Sequence, residues 1–182
     1  RIISIHLGDA YPRGLDMRVT DTQTSALVKA TVLFADGRFP DTLIGNDRGN
    51  PYFGIAGDGG GQTAGQLGDL VQSGCGQYAL SYAIRPASFS FFGNQMTSTP
   101  DELGLLVVDK DANVISRTKL RIGSDIETLK SARYGKDAIV VAWKTAGNTD
   151  HWMMLVDANG NVLQGAQKLP PGVVFTSTDA FT

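Results

Sequence analysis

The sequence predicts an all-β fold, and short apolar segments separated by turn-forming residues are the first reason. Two such segments, Ala138–Trp143 and His151–Val156, are rich in Val, Ile, Trp and Met and are bounded by Gly, Asn and Asp. Segments this short are typical of strands buried on both faces rather than of helices. After the second segment, Asn159-Gly160 suits a tight hairpin because both residues tolerate positive φ. Strand, loop, strand, turn and strand together predict an antiparallel meander.

An internal repeat is the second reason for this prediction. Equivalent residues recur at two constant offsets: Leu70, Gly76, Ala79 and Ala83 match Leu129, Gly135, Ala138 and Ala142, and Asp109, Asn113 and Val114 match Asp157, Asn161 and Val162. An insertion around Ser88–Pro100 accounts for the difference between the offsets. A repeat of about four strands per unit resembles a β-propeller, with units at about 5–44, 67–122 and 124–170. No Trp-Asp, kelch or sialidase motif assigns a subfamily.

The other segments fit one propeller-like unit spanning 1–182. The strands expected outside the two segments above are, in chain order, a strand within Arg1–Leu15, Met17–Thr20, Ala26–Phe34, Arg38–Ile44, Tyr78–Ile84 and Leu103–Val108, with a polar turn at Asp21–Ser25. We expect residues 172–182 to form the first strand of a further unit. A glycine-rich insertion occupies 45–66.

One local pattern supports a different fold. Ser124-Asp125-Ile126-Glu127 is a capping-box sequence, with Ile126 and Leu129 at helical spacing and Gly135 as a C-cap. Taken alone it predicts a helix and a mixed α and β domain. Its counterpart, Leu67–Gly74, has an internal glycine and no comparable cap, so the repeat favours a strand here.

Composition and charge exclude some classes of function. The formal net charge is -2 at a pI of about 5.6, and no basic cluster predicts nucleic-acid binding. No apolar stretch reaches membrane-spanning length. A single cysteine, Cys75, allows no intrachain disulfide, and a small buried residue is favoured over a reactive thiol. Compartment stays open, with secretion after processing favoured because the chain starts at Arg1.

The predicted unit count implies a partner. Three units and one extra strand do not close a propeller, which takes about four blades or more. An open array leaves apolar faces at both ends. We therefore expect a second chain, a further copy or additional sequence to complete the assembly.

Two insertions are candidates for ligand contact. Asn46–Gly68 contains the dense glycines of Gly57-Asp58-Gly59-Gly60-Gly61, for which a flexible connection is favoured over an anion cradle. Neither a phosphate-binding loop nor the dinucleotide pattern is completed. Pro86–Pro100 places Phe89, Phe91 and Phe92 close together in the sequence. Such a group is equally consistent with ligand contact, by sugar stacking or at a protein interface, and with packing of these side chains on the outer face of their own sheet.

The propeller resemblance implies that the first strand of each unit lines a central channel. Transferred to this chain, it makes Ser73, Ser131, Arg133 and Asp179 the candidate ligand-binding residues. His6 and His151 offer few options for nucleophilic catalysis, because no Gly-x-Ser-x-Gly motif is present. A structural role is favoured for His151, which begins a predicted core strand.

Two turns have the alternating oxygen ligands of calcium loops. They are Asp109-x-Asp111-x-Asn113 and Asp157-x-Asn159-x-Asn161. Neither is followed by the bidentate Glu of such loops, so hairpins are favoured and calcium remains an alternative. No other cofactor is expected.

The sequence therefore predicts a binding or interaction module that recognises a carbohydrate or a protein surface. The alternative is a subunit of a propeller enzyme, of hydrolase or lyase type, with its site at the channel mouth and shared with a partner chain. Architecture alone does not decide between them.

Overall fold

The computed structural model describes residues 1–7, 14–35, 61–74, 76–89, 96–98, 102–122, 126–173 and 175. The regular elements in these ranges are β1 (Ile2–Leu7), β2 (Gly14–Thr20), β3 (Leu27–Ala35), β4 (Gly61–Gly74), β5 (Gln77–Phe89), β6 (Met96–Ser98), β7 (Glu102–Asp109), β8 (Val114–Ile122), β9 (Ile126–Tyr134), β10 (Ala138–Thr145), β11 (His151–Asp157) and β12 (Val162–Lys168). None of the residues in these ranges forms a helix, and hence none forms one long and apolar enough to cross a membrane.

The strands form three antiparallel sheets. The first has the order β1-β2-β3, and the third has the order β12-β11-β10-β9. The second follows the path β4-β5-β7-β8, with β6 paired to β5. Strands that are neighbours in sequence are mostly neighbours in a sheet, which is the pairing expected of meanders. The all-β, antiparallel prediction is confirmed.

The capping-box alternative is wrong where the structure describes the chain, because residues 126–134 form β9. Leu129 lies opposite Trp143 on β10, and Ser131 lies opposite Val141. A favourable cap stabilises a helix by about 1 kcal/mol. Burying a Leu or Ile side chain stabilises the fold by about 1.5–3 kcal/mol, and here both Ile126 and Leu129 are buried. Tertiary burial therefore outweighs the local preference.

One compact unit takes its described residues from Arg1–Ala64, Ile84–Thr99 and Asp111–Asn113. Its β2 carries two fully buried side chains, Met17 and Val19, which lie opposite Ile5 and Ile3 of β1. The connection from β2 to β3 is a turn held by Asp21, whose Oδ1 accepts hydrogen bonds of 2.9 Å from the backbone N–H groups of Gln23 and Thr24. This is the polar turn that the sequence predicts.

A second compact unit takes its residues from Gly65–Ala83, Pro100–Lys110 and Val114–Thr182. Its core lies between the five-stranded and the four-stranded sheet and contains Ala79, Ala83, Leu103, Leu105, Val107, Ile126, Leu129, Ile139, Val141, Trp143, Met154 and Val156. Strand β7 is buried on both faces, because the intervening Leu106 and Val108 are also covered. Burial on both faces explains why this strand is apolar almost throughout.

The two predicted insertions differ in part from the structure. Strand β4 begins at Gly61, so the last part of the glycine-rich stretch is extended rather than irregular. Pairing with β5 gives its backbone groups hydrogen-bond partners, which offsets the entropy cost of glycine. Within Pro86–Pro100, Ala87 lies opposite Ser98 as β5 continues into a pairing with β6. The predicted strand 38–44, residues 46–60 and Cys75 lie outside the described residues.

Candidate functional site

Buried polar side chains of the second unit lie on β4, β5 and β9. Ser81 and Ser131 are 0% and 1% exposed, and their hydroxyl oxygens form a short hydrogen bond with each other. The backbone N–H of Ser131 donates to Oδ2 of Asp69 at 2.9 Å. These bonds satisfy polar groups that the packing of the two sheets removes from water.

Gly68 explains why the two serines can meet. A Cβ atom at this position would overlap the Ser81 Oγ and would lie 3.0 Å from the Ser131 Oγ and 3.3 Å from Leu129 Cγ. The glycine is buried within β4, where a missing side chain permits a close approach between strands. The internal glycine that argued against a helix thus has a packing role.

Lys130 adds a charge beside this pair. The residue is 6% exposed, and its Nζ lies 4.0 Å from Oδ1 of Asp69. A buried charge is tolerated when it is paired, and this carboxylate also accepts the Ser131 N–H. Asp69, Ser81, Lys130 and Ser131, called here the inter-sheet cluster, fix two sheets against each other. The two serine hydroxyls of this cluster are covered and bonded to each other.

The predicted channel residues occupy different environments. Ser131 belongs to the inter-sheet cluster. Ser73 is 7% exposed, and no hydrogen-bond partner for its Oγ lies among the described residues. Arg133 is exposed, and its Nη2 donates to the carbonyl oxygen of Lys136 at 2.9 Å within the turn from β9 to β10. Asp179 lies outside the described residues. The ligand role of these four positions stays a prediction.

The second predicted calcium turn is held by its own hydrogen bonds. Oδ1 of Asp157 accepts the backbone N–H groups of Asn159 and Asn161 at 2.8 Å each, and Oδ2 accepts the Asn161 side-chain amide at 2.8 Å. Partial desolvation raises the pKa of this carboxyl, but the hydrogen bonds from Asn161 and Asn159 outweigh it and hold the pKa below its usual value. Donors of the turn itself therefore bind both oxygens of the Asp157 carboxylate.

The first predicted calcium turn contacts two cations of the chain. Arg1 Nη1 donates to Oδ1 of Asp111 at 2.6 Å, and Lys29 Nζ donates to Oδ1 of Asn113 in a short hydrogen bond. Two of the proposed oxygen ligands therefore already face positive charge. Across the described ranges, no group of three or more His, Cys, Asp or Glu side chains is arranged to hold a metal. Calcium binding stays a prediction.

His151 has a packed position at the start of β11. It is 8% exposed, its Nδ1 lies 3.0 Å from the carbonyl oxygen of Thr149, and its ring meets that of Phe175 edge to face at 4.7 Å. A protonated Nδ1 donates to that carbonyl, which fixes the ring orientation. This geometry fits the structural role favoured from the sequence.

Tyr82, a buried tyrosine on β5, was not identified from the sequence as a residue of interest. Tyr82 is 1% exposed, and a Cβ at Gly104 would overlap its hydroxyl end. Burial raises the pKa of Tyr82, the charge of Glu102 raises it further, and the charge of Arg117 opposes the rise. The missing side chain at Gly104 makes room for the ring, as at Gly68, and no local sequence pattern reveals that contact.

Two terminal strands of the sheets, β8 and β12 (called here the outer strands), expose apolar side chains. Val114 and Ile115 on β8 are 39% and 47% exposed, and Val162 and Leu163 on β12 are 49% and 58% exposed. We call these four residues the outer-strand patch. Both pairs follow directly after the equivalent turns of the repeat, which is a signal that the sequence contained.

The turn before β12 contacts strand β8. The carbonyl oxygen of Asn159 accepts hydrogen bonds from the hydroxyls of Ser116 at 3.5 Å and Thr118 at 3.4 Å. Gly160, at a φ of 87°, packs so closely that a Cβ would lie 2.7 Å from the Thr118 Oγ1. The turn therefore packs against β8 at Ser116 and Thr118.

Fold and surface together define a class of protein: an all-β chain of antiparallel sheets with a packed inter-sheet cluster and an apolar outer patch. Comparison of the chain with models of protein families, with curated proteins and with solved structures finds no significant match. Function has to be argued from the residues themselves.

Proposed function

We propose that this chain is a binding module that recognises a protein surface through the outer-strand patch. The observation that carries the proposal is the exposure of Val162 and Leu163, at 49% and 58%, on a peripheral strand. Contiguous exposed apolar surface commonly marks interaction sites, whereas isolated apolar residues do not. The Asn159 turn contacts β8, the strand that carries the second exposed pair, which supports the proposal.

A propeller-like array is the architecture that we propose around this surface. The repeat and the three antiparallel sheets support it, as does the shared core of the sheets in the second unit. In such an array the first strand of each unit lies innermost and the last lies at the rim. The rim then presents β8 and β12 to a partner, and a second chain, a further copy or additional sequence closes the array.

A protein surface fits the described residues better than a carbohydrate does. Sugar stacking would depend on Phe89, Phe91 and Phe92, whose side chains lie outside the described residues. Aliphatic side chains such as those of Val162 and Leu163 suit a protein interface and offer no flat ring to a sugar. The enzyme alternative has weaker support, because the ring of His151 is engaged by Thr149 and Phe175.

Native mass spectrometry of the purified chain, beside a denatured run, tests the proposal. We expect a complex with a second copy or a co-purifying polypeptide in the native spectrum. Replacing Val162→Ser and Leu163→Ser together should reduce the bound fraction by about tenfold or more, because a buried apolar anchor dominates interface energy.

The control is the double variant Leu27→Ser and Val28→Ser. These two residues, on β3, are 58% and 49% exposed, so the change in composition and exposure is matched to that in the patch. The complex should survive this control. A chain that is folded and always alone contradicts the proposal, and so does an equal loss of complex in both variants.

A further inference from the structure

Strand β8 has the position of an edge strand. It ends the path β4-β5-β7-β8, and its inner edge pairs with β7 in an unbroken register from Val107↔Ser116 to Gly104↔Lys119. In the part of the chain that the structure describes, no strand pairs with its other edge. The backbone N–H and C=O groups of such an edge form a template for an added strand.

The side chains of β8 separate by face. Ser116 and Thr118 contact the Asn159 carbonyl, whereas Arg117 and Lys119 alternate with them and are exposed. Alternate residues of a strand share a face at about 6.7 Å spacing. The outward face therefore presents two cations, and the exposed Ile115 precedes them at an irregularity of the register.

Charge on the outer strands differs from that of the whole chain. β8 contains Arg117, Lys119 and Arg121, and β12 contains Lys168, whereas neither strand contains Asp or Glu. The chain as a whole has a net charge of -2. Positive charge is thus concentrated on the outer strands, and a complementary partner is acidic.

Arg117, Lys119 and Lys168 already interact with groups of the chain. Lys119 Nζ lies 2.7 Å from Oε2 of Glu102, and Lys168 Nζ lies 2.7 Å from Oδ1 of Asp150. Both lysine side chains are 51% exposed, whereas those of Glu102 and Asp150 are 21% and 26% exposed. Because the ammonium groups remain exposed, an incoming carboxylate can compete for the lysine.

We infer that β8 binds an extended acidic peptide segment by strand addition, with its carboxylates opposite Arg117 and Lys119 and an apolar side chain near the exposed Ile115. This inference rests on the proposed protein-binding function and names the chemistry of the partner. An extended peptide supplies backbone groups at the spacing of the edge, which a nucleic acid does not. Two cations at alternate positions also fit a peptide whose acidic residues alternate with others.

Fluorescence anisotropy with a synthetic peptide tests this inference. The probe is as long as β8, has Glu at two alternate positions and Leu at the next alternate position, and has Thr between them. A second probe has the same composition with adjacent Glu residues. A third carries N-methyl groups on alternate amides that would pair with β8. We expect the first probe to bind about tenfold or more tightly than either of the others, because only it satisfies charge spacing and backbone pairing together.

Variants of the protein locate the contact. Arg117→Gln with Lys119→Gln should weaken binding of the first probe by about tenfold or more. Lys110→Gln with Lys136→Gln removes the same charge from exposed positions outside β8 and should leave binding unchanged. Equal binding of the N-methylated probe, equal effects of the two double variants, or tighter binding of a nucleic-acid oligomer each overturns the inference.

The double variant Val162→Ser and Leu163→Ser distinguishes a failure of the strand-addition inference from a failure of the proposed function. If no probe binds β8 while the complex in native mass spectrometry still depends on Val162 and Leu163, the strand-addition inference fails and the protein-binding proposal stands. If the probe binds but no complex depends on the patch, the patch proposal fails and the peptide site on β8 stands alone.

Discussion

Gly68 shows at the scale of one residue how an absent side chain lets two sheets meet. Its position faces the Ser81 and Ser131 hydroxyls, which bond to each other in the core of the second unit. We expect Gly68→Ala to lower the free energy of unfolding by roughly 1–3 kcal/mol, because overpacking displaces buried atoms. Urea denaturation followed by fluorescence measures the change.

Gly165→Ala is the matched control for Gly68. A Cβ at Gly165 meets nothing within 4 Å, and the residue lies on the exposed strand β12. Its unfolding free energy should stay within about 0.5 kcal/mol of the unchanged protein. A Gly68→Ala variant as stable as this control would contradict the close approach.

Because of Tyr82, we expect the free energy of unfolding to depend on pH in the alkaline range. Burial raises its pKa above the usual value of 10.0, so the unfolded chain loses this proton at lower pH than the folded chain does. The stabilisation is complete below about pH 10 and declines as the pH rises above that value. We expect the unfolding free energy of the unchanged protein to fall, relative to Tyr82→Phe, between pH 9 and 11.

Urea denaturation at a series of pH values measures this difference. Tyr134→Phe is the control for loss of a hydroxyl group, because Tyr134 is 61% exposed, and at neutral pH its unfolding free energy should stay within about 0.5 kcal/mol of the unchanged protein. If the difference between Tyr82→Phe and the unchanged protein is constant across the pH series, the phenol is not buried in its neutral form.

At the scale of an element, the Asp157 turn fixes how β11 passes into β12. The carboxylate accepts three hydrogen bonds from the turn, and the turn rests on β8 through Asn159. We expect Asp157→Ala to reduce the unfolding free energy by about 1–2 kcal/mol, because these donors lose a charged acceptor. Thermal or urea denaturation at neutral pH measures the loss.

Low pH should remove the stabilisation that Asp157 contributes to the folded state. Its folded pKa lies below the usual 3.8, so the stabilisation is present above that value and is lost as the pH falls through the folded pKa. The unchanged protein and Asp157→Ala should therefore converge in stability in acid. Asp137→Ala, in the exposed turn from β9 to β10, should stay within about 0.5 kcal/mol of the unchanged protein at neutral pH.

At the scale of the whole molecule, the two Asp- and Asn-rich turns are hairpin connections with partners of their own. Arg1 and Lys29 contact the first turn, and the backbone of the second turn encloses Asp157. We expect native mass spectra recorded with calcium and with a chelator to show the same mass, because cations of the chain and N–H donors already occupy these oxygens. A bound calcium mass that disappears in Asp111→Ala or Asp157→Ala would contradict this expectation.

Much of the fold followed from local pattern. Short apolar segments bounded by Gly, Asn and Asp predicted β10 and β11, and Asn159-Gly160 predicted the turn that follows them, where Gly160 has a φ of 87°. These features depend on backbone preferences of a few neighbouring residues, which any segment carries with it. The capping box near Ser124 misled for the same reason, since it reports a local preference that burial of β9 overrides.

The sequence by itself determined that the chain forms antiparallel strands, where most of them turn, and which pairs of turns are equivalent. Only the tertiary structure decided which polar groups form hydrogen bonds or ion pairs with one another. Ser131 meets Ser81 across 50 positions, Asn113 meets Lys29 across 84, and Asp111 meets Arg1 across 110. Contacts of this range depend on register and on the packing of one sheet against another, and no local spacing of residues specifies either. The binding site that we propose therefore rests on the exposure of β8 and β12, and the ligand role of the predicted channel residues stays a prediction.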